Sequence, residues 1–181
     1  MFLATPSAKT GNNQLEYLLK NNLRLYLRKI KSIMSFTQSV YHIVFSTKWR
    51  KPIITNDKER EVYKILYNLM NSYGCHTYRI GGMPDHIHIL VDISSKLSLS
   101  SFMKQLKQES SFIISQNRLF SNWDGWEEGY AAFSYSAKEI PVVVNYITNQ
   151  KEHHKKISFI DEYKNWLIEM GVSPDVPYFP K

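Results

Sequence analysis

Asp85-His86-Ile87-His88-Ile89-Leu90-Val91-Asp92-Ile93 is the stretch on which the reading of this chain turns. As a strand, its period of two puts Ile87, Ile89, Val91 and Ile93 on one face, ready to pack beneath helices. His86 and His88 then share the opposite face, about 6.5–7 Å apart along the strand. From that separation two imidazoles can converge on one metal ion through bonds of about 2.0–2.1 Å. On spacing alone the pair fits a metal site and a pair of solvent-side histidines equally well.

Working outward, residues 39–48, SVYHIVFSTK, alternate and are rich in β-formers, which predicts a first strand. Asn56 followed by Glu59 resembles a capping box that opens a helix buried through Val62, Ile65, Leu66, Leu69 and Met70 and stopped by Gly74. Residues 77–80 read as a short strand and Gly81-Gly82-Met83-Pro84 as the turn before the His-x-His strand. Ser98 is placed to cap a second helix, buried through Leu99, Phe102, Met103, Leu106, Ser110 and Ile113. A loop over 123–129 leads to a strand over 130–135, a third helix over 141–155 and a fourth over 160–170. Pro174, Pro177 and Pro180 predict an extended tail. The order β-α-β-β-α-β is that of an α+β, ferredoxin-like split β-α-β fold, with a four-stranded antiparallel sheet, two helices on one face and added C-terminal helices. That fold hosts many functions and decides none.

The third helix supplies a second constellation. Tyr146 and Gln150 are four residues apart and should share a helical face, with His153 continuing the stripe. A phenol that attacks phosphorus and a neutral amide oxygen that completes a cation's coordination are compatible with that spacing. So is ordinary packing of a half-buried tyrosine. Lys48-Trp49-Arg50-Lys51 interleaves cations with an aromatic ring, and Lys104, Lys107 and Lys151 sit on polar helix faces. Such groups hold phosphates and stack bases when they act together, and are solvated surface when they do not.

Composition narrows the classes. The 181 residues suit one domain of ordinary size, and 43% hydrophobic with 22% charged residues excludes a disordered polymer. No apolar run reaches the roughly 18–20 residues of a membrane span. The single Cys75 excludes a disulfide framework and a cysteine-built zinc site, which makes a reducing cytoplasm the expected location. The net charge of +7 is misleading, because residues 1–33 alone hold +5. Within them, Leu15, Leu18, Leu19, Leu23, Tyr26, Leu27, Ile30 and Ile33 recur at helical spacing among basic residues. This basic N-terminal extension reads either as an amphipathic helix or as a mis-assigned leader before a true start at Met34, and the second reading is preferred because residues 34–181 form a self-contained domain.

From Phe36 to Phe179 the chain resembles the single-tyrosine HUH transposases of small bacterial insertion sequences, and also the REP-associated tyrosine transposases. The resemblance rests on SVYHIVFSTKWRKPII, GGMPDHIHILVDI, GYAAFSYS, YITNQKEHH and FIDEY, in that order. It implies His86 and His88 as ligands of Mg²⁺ or Mn²⁺, Gln150 as a third ligand and Tyr146 as a nucleophile that leaves a 5′-phosphotyrosine on cleaved single-stranded DNA. It also implies a DNA hairpin at element ends as partner, and a homodimer in which the tyrosine helix can complete the partner's site. Ala131, Tyr135 and Glu127 depart from glycine, valine and glutamine at the corresponding family positions. Two other functions fit the same fold: a domesticated endonuclease acting on repeat hairpins, and a non-enzymatic nucleic-acid binder. The second would want aromatic residues where this strand carries His86 and His88.

Overall fold

The computed structural model describes residues 37–154, 158–169, 171 and 173, and its elements fall within the compact unit Gln38–Lys181. The basic stretch 14–33 and the proline-bearing tail lie outside the described residues.

Alternating β-formers build β1 (Val40–Ser46) and β3 (His86–Asp92), which pair antiparallel with Ser46 opposite His86 and Val40 opposite Asp92. β2 (His76–Met83) flanks β3 and β4 (Ala131–Ser134) flanks β1, giving an antiparallel sheet of order β2-β3-β1-β4. α1 (Glu59–Ser72) links β1 to β2, and α2 (Leu99–Gln116) links β3 to β4. This is the ferredoxin-like arrangement that the order of elements implies.

Both linking helices cover one face. Val62, Leu66 and Met70 of α1, with Phe102, Met103, Leu106 and Ile114 of α2, bury Ile43, Phe45, Ile87, Ile89 and Val91. Ile114, rather than the expected Ile113, reaches the core, because the buried row of α2 advances by four through Phe102, Leu106 and Ser110. Ser98 caps α2 as expected, its hydroxyl accepting from Ser101 N at 3.1 Å. The capping box at α1 does not form. The amides of Lys58 and Glu59 bond to Thr55 O instead, and Asn56 Oδ1 and Glu59 Oε1 both accept from Lys151 Nζ, at 3.0 and 2.8 Å. Gly74 ends α1 at φ +75°, with Cys75 N bonded to Met70 O at 3.0 Å, a Schellman-type stop.

Gly81 and Gly82 belong to β2, not to a turn. They stand opposite His88 and Ile87, and the reversal shrinks to Pro84-Asp85. A Cβ on Gly82 would lie 2.3 Å from His86 O, and one on Gly81 would lie 2.8 Å from both the side chain and the carbonyl of Ile147. These glycines allow close approach within a strand, the other use of the residue.

Ile147 belongs to a second helical layer that the alternation of β3 does not announce. α3 (Ile140–Thr148), α4 (Gln150–His153) and α5 (Phe159–Glu169) follow β4. Val143 and Ile147 pack on Val40 and Leu90, while Trp166 packs on Val44, Ala131 and Phe133. The face of β3 that carries His86 and His88 is therefore buried, and the idea of solvent-side histidines is overturned. The helix expected over 141–155 breaks at Asn149 (φ −98°, ψ 15°). There the Asn149 amide is shared between Asn145 O and Tyr146 O, and its side chain also donates to Asn145 O at 3.0 Å, local bonding that competes with a continuous helix. Ser158 opens α5, accepting from Asp161 N at 3.3 Å. Among the described residues no helix is long and apolar enough to cross a membrane.

Gly81→Ala forces α3 away from β2 or bends the strand, so it should destabilise the protein by about 1–3 kcal/mol, the ordinary range for overpacking. Gly129→Ala adds a methyl with nothing within 4 Å and should be near neutral. Chemical denaturation of the two variants checks the pair, and equal stabilities would contradict the close contact.

Candidate metal and nucleophile site

β3 sets the first two groups. His86 and His88 are 1% and 0% exposed, with ring centroids 5.0 Å apart. His86 Nδ1 lies 2.8 Å from Asp85 Oδ1, and Asp85 Oδ2 accepts from Arg50 at 2.6 Å. Burial alone would raise the Asp85 carboxyl, but its bonds to His86 and Arg50 hold it below the ordinary carboxylate range. His88 Nδ1 lies 3.0 Å from Nε2 of His42, a residue of β1 that is 1% exposed. Burial depresses all three imidazoles: His42 to about 4, His86 less, and His88 well down with help from the neighbouring rings. All three are therefore neutral at pH 7, the form that binds cations.

The helices close over this strand. Tyr146, on α3, places its ring 6.1 Å from that of His88 within the same chain, and its phenol donates a hydrogen bond to Glu162 Oε1 of α5. Glu162 is buried, which pushes its carboxyl up to about 8. It also meets His153 Nε2 at 3.2 Å and His154 Nε2 at 3.3 Å. His154 Nε2 stands 3.2 Å from His86 Nε2. Ligand atoms of His86, His88, His154 and Glu162 lie within 4.8 Å of one another. Gln150 opens α4 against β2, at 1% exposure. The break at Asn149 means that Tyr146 and Gln150 belong to successive helices, although Tyr146 and His153 still meet with ring centroids 5.4 Å apart.

These residues fit a divalent cation. Among the described residues, His88 Nε2 and both amide atoms of Gln150 are buried without a hydrogen-bond partner. The imidazoles of His86, His88 and His154 with the Glu162 carboxyl offer a mixed nitrogen and oxygen donor set of the kind Mn²⁺ accepts readily and Mg²⁺ accepts with water completing its shell.

The expected DNA contacts divide. The turn Lys48–Arg50 holds Trp49 and Arg50 in left-handed backbone (φ 53° and 54°), with Trp49 65% exposed. Glu127 accepts from Lys48 Nζ at 2.9 Å and from Trp49 N at 3.0 Å, so this departure from the family pattern braces the turn. Lys51 pairs with Asp124, and the ammonium groups of Lys48 and Lys51 stand 5.7 and 4.7 Å from the Trp49 ring. Through Arg50 and Asp85 the turn is tied to His86. Lys104 and Lys107 lie on α2, lining a cleft of about 610 Å³ with the 124–130 loop, whose Asp124 and Glu127 pair with Lys51 and Lys48. Lys107 Nζ there donates to Glu128 O and Gly129 O, at 2.7 and 3.2 Å. Lys151 is held by Asn56 and Glu59, as described above.

Sequence reasoning missed His42, Asp85, His154 and Glu162. The signals existed: His42 shares the parity of Val40 and Val44 in the first strand, and Glu162 sits in the FIDEY stretch.

A split β-α-β sheet with a His-x-His strand buried under a tyrosine-bearing helix defines a class of protein rather than one protein. The model of the family described as "Transposase IS200 like" matches residues 35–150, and the chain belongs to that family. A "Transposase for insertion sequence element IS200" from Salmonella typhimurium is 32% identical over 120 residues, spanning 64% of this chain and 78% of its own. The "ISDra2 transposase TnpA" of Deinococcus radiodurans is 23% identical, over 64% and 86% of the two chains. Among solved structures, a Deinococcus radiodurans R1 transposase crystal structure superposes with a TM-score of 0.52 at 22% identity, covering 65% of this chain and 94% of that one. A REP-associated tyrosine transposase bound to a REP hairpin gives a TM-score of 0.51 at 10% identity, covering 68% and 73%. At these identities the two structures establish the fold.

If the Gln150 amide is kept for a cation, it burdens the metal-free protein with two desolvated polar atoms. Gln150→Met should therefore raise stability in chelator by about 1 kcal/mol or more, since an unmet buried polar group costs roughly 1–3 kcal/mol. Denaturant midpoints of the metal-free proteins check this; a destabilised variant would contradict it.

Proposed function

We propose that this transposase-family chain cleaves and rejoins single-stranded DNA through Tyr146, with His86, His88 and Gln150 holding a divalent cation. The observation that carries the reading is the hydrogen bond from the Tyr146 phenol to Glu162, one of the four residues whose ligand atoms cluster within 4.8 Å. The phenol thus reaches the cluster that contains His86 and His88, which supports the reading.

Tyr146 Oη attacks the scissile phosphorus. The bond from phosphorus to the 3′-oxygen breaks, leaving a 5′-phosphotyrosine and a strand that ends in a 3′-hydroxyl once its oxygen takes up a proton. An ordinary phenol has a pKa near 10, and its proton leaves along the existing bond to Glu162 Oε1. Only the ionised carboxylate can take that proton; burial raises Glu162 to about 8, so this form predominates above that pH, where its proton affinity is closer to a phenol's than an ordinary carboxylate's. Rejoining is the reverse: a 3′-hydroxyl attacks the phosphotyrosine, the phenol regains its proton, and no nucleotide cofactor or ligase is consumed. The bound cation, Mg²⁺ or Mn²⁺, supplies neutralisation and polarisation of the phosphate. The helices over β3 keep bulk water from the phosphotyrosine.

Trp49 serves as a base-stacking platform next to the site. Two consecutive left-handed non-glycine residues are costly, of order 1–3 kcal/mol each, and persist where surrounding bonds enforce them. Here they display an indole between two ammonium groups. Lys48, Arg50 and Lys51 belong to this turn, and Lys104 and Lys107 line a cleft whose Glu127 also holds Lys48, so these cations can act on one strand; Lys151 would add a contact beside Asn56 and Glu59. The DNA partner is a single strand carrying a hairpin, in keeping with the hairpin-bound structural relative. The reading includes a homodimer and a cytoplasmic location with that DNA.

One assay series tests the reading: full-length protein, single-stranded end DNA and Mg²⁺ or Mn²⁺, with covalent adduct read on denaturing gels and binding read separately. Tyr146→Phe should bind normally and form no adduct. His86→Ala and His88→Ala should bind and fail to cleave, with Gln150→Ala milder because water can take one coordination position. Trp49→Ala should weaken binding by about 1–3 kcal/mol per lost stack, roughly 5- to 150-fold. Full cleavage by the histidine variants in chelator would overturn the cation, and absence of any adduct from the wild type would favour a non-enzymatic binder.

A further inference from the structure

The two histidines of β3 are braced differently. His86 turns its Nδ1 to the Asp85 carboxylate, which Arg50 anchors. His88 turns its Nδ1 to a neutral ring, His42 Nε2 at 3.0 Å, and its own Nε2 is buried without a hydrogen-bond partner. A neutral imidazole carries one proton, so the proton between these rings can sit in two ways. If His42 donated, His88 would carry its proton on Nε2 and bury an unpaired donor. If His88 donates, its Nε2 is a bare lone pair and His42 carries its own proton on Nδ1, which is not among the buried atoms left without a partner. Orphaned buried donors are rarer than under-used acceptors, so the second arrangement is favoured.

We infer that His42 is a positioning residue that accepts the Nδ1 proton of His88 and thereby fixes the tautomer whose bare Nε2 faces the cluster. The inference rests on the cation reading for its purpose, though not for its geometry. His42 is well placed to hold one orientation. The β1–β3 register sets Val44 opposite His88 and His42 opposite Leu90, so the two rings are diagonal neighbours on one face. Their planes are within 22° of parallel and their centroids 5.2 Å apart, the edge-to-edge separation that an in-plane N–H···N bond requires. Trp166, Tyr146 and Tyr135 surround His42 at 5.3, 5.8 and 6.3 Å between centroids. The ring is 1% exposed, so its hydrogen-bonding choices are set by these neighbours rather than by bulk water. A partner on the second nitrogen is a common device for aiming a ligating imidazole; here the partner is itself an imidazole on the neighbouring strand.

Two measurements test it on the full chain. In the metal-free wild type, long-range proton–nitrogen correlation spectra of the histidine rings, assigned by loss of the signal in His88→Gln, should show His88 protonated on Nδ1. Mn²⁺ titration followed by electron paramagnetic resonance should then give roughly 10- to 100-fold weaker binding for His42→Phe, which keeps the volume and loses the acceptor. His42→Gln restores an acceptor oxygen and should recover most of that affinity. His88 protonated on Nε2 in the wild type overturns the proposal, whether or not any variant folds. So does wild-type affinity in His42→Phe, and so does equal damage by Phe and Gln, which would mark His42 as packing alone. A wild type with the Nδ1 tautomer but no Mn²⁺ binding would leave the tautomer assignment standing and refute the cation reading.

Discussion

The contact on which the rest depends is that of Ile147 against Gly81. α3 can lie on β2 only because position 81 lacks a side chain, with Ile147 where a Cβ would otherwise be. Tyr146 immediately precedes that residue and Gln150 follows it by three, so the same approach brings the phenol over β3 and carries the chain into α4 against β2. Moving α3 outward by even the width of a methyl group would withdraw both groups at once. The glycine therefore sets the position of Tyr146 and Gln150 through backbone proximity alone.

Closing that layer over β3 buries a polar set that would be unfavourable in an ordinary core. His42, His86, His88, Gln150 and Glu162 are all at or below 3% exposure. The imidazoles respond by staying neutral and the carboxyl by rising, each as desolvation requires. Among the described residues, His88 Nε2 and both Gln150 amide atoms remain without a hydrogen-bond partner. Such a residue of unsatisfied groups is what a cation would relieve. The opposite face of the sheet, under α1 and α2, is a plain apolar core dominated by Ile, Leu, Phe and Met. One sheet thus separates an apolar face from a polar one, with β3 contributing Ile87, Ile89 and Val91 to the first and His86 and His88 to the second.

That division was half legible in the sequence. Period two places His86 and His88 together and the isoleucines apart from them, and the order of elements gives the sheet. Period two cannot say whether anything returns to cover the second face, because that depends on α3 to α5 folding back over long sequence distances. The same limit hid Glu162 and His154, whose role exists only after that return. His42 was visible as a polar residue at a core parity, yet its meaning lies in a diagonal pairing across β1 and β3 that no local window contains. Gly81-Gly82 was misread because a glycine pair signals a turn as readily as a crowded strand. The helix break at Asn149 was misread because helical spacing persists across it, from Tyr146 to His153.

The claim at the centre of this account is that one tyrosine among several carries the transferred strand. Tyr135 and Tyr146 both lie near His42, so proximity to the histidines does not by itself choose between them. What distinguishes Tyr146 is its hydrogen bond to Glu162 within the ligand cluster. Mass-spectrometric mapping of the covalent product formed with single-stranded end DNA and Mn²⁺ addresses the choice directly. The account predicts one nucleotide-bearing peptide, linked through a 5′-phosphate to Tyr146. A phosphate linkage on Tyr135 or any other side chain would contradict it.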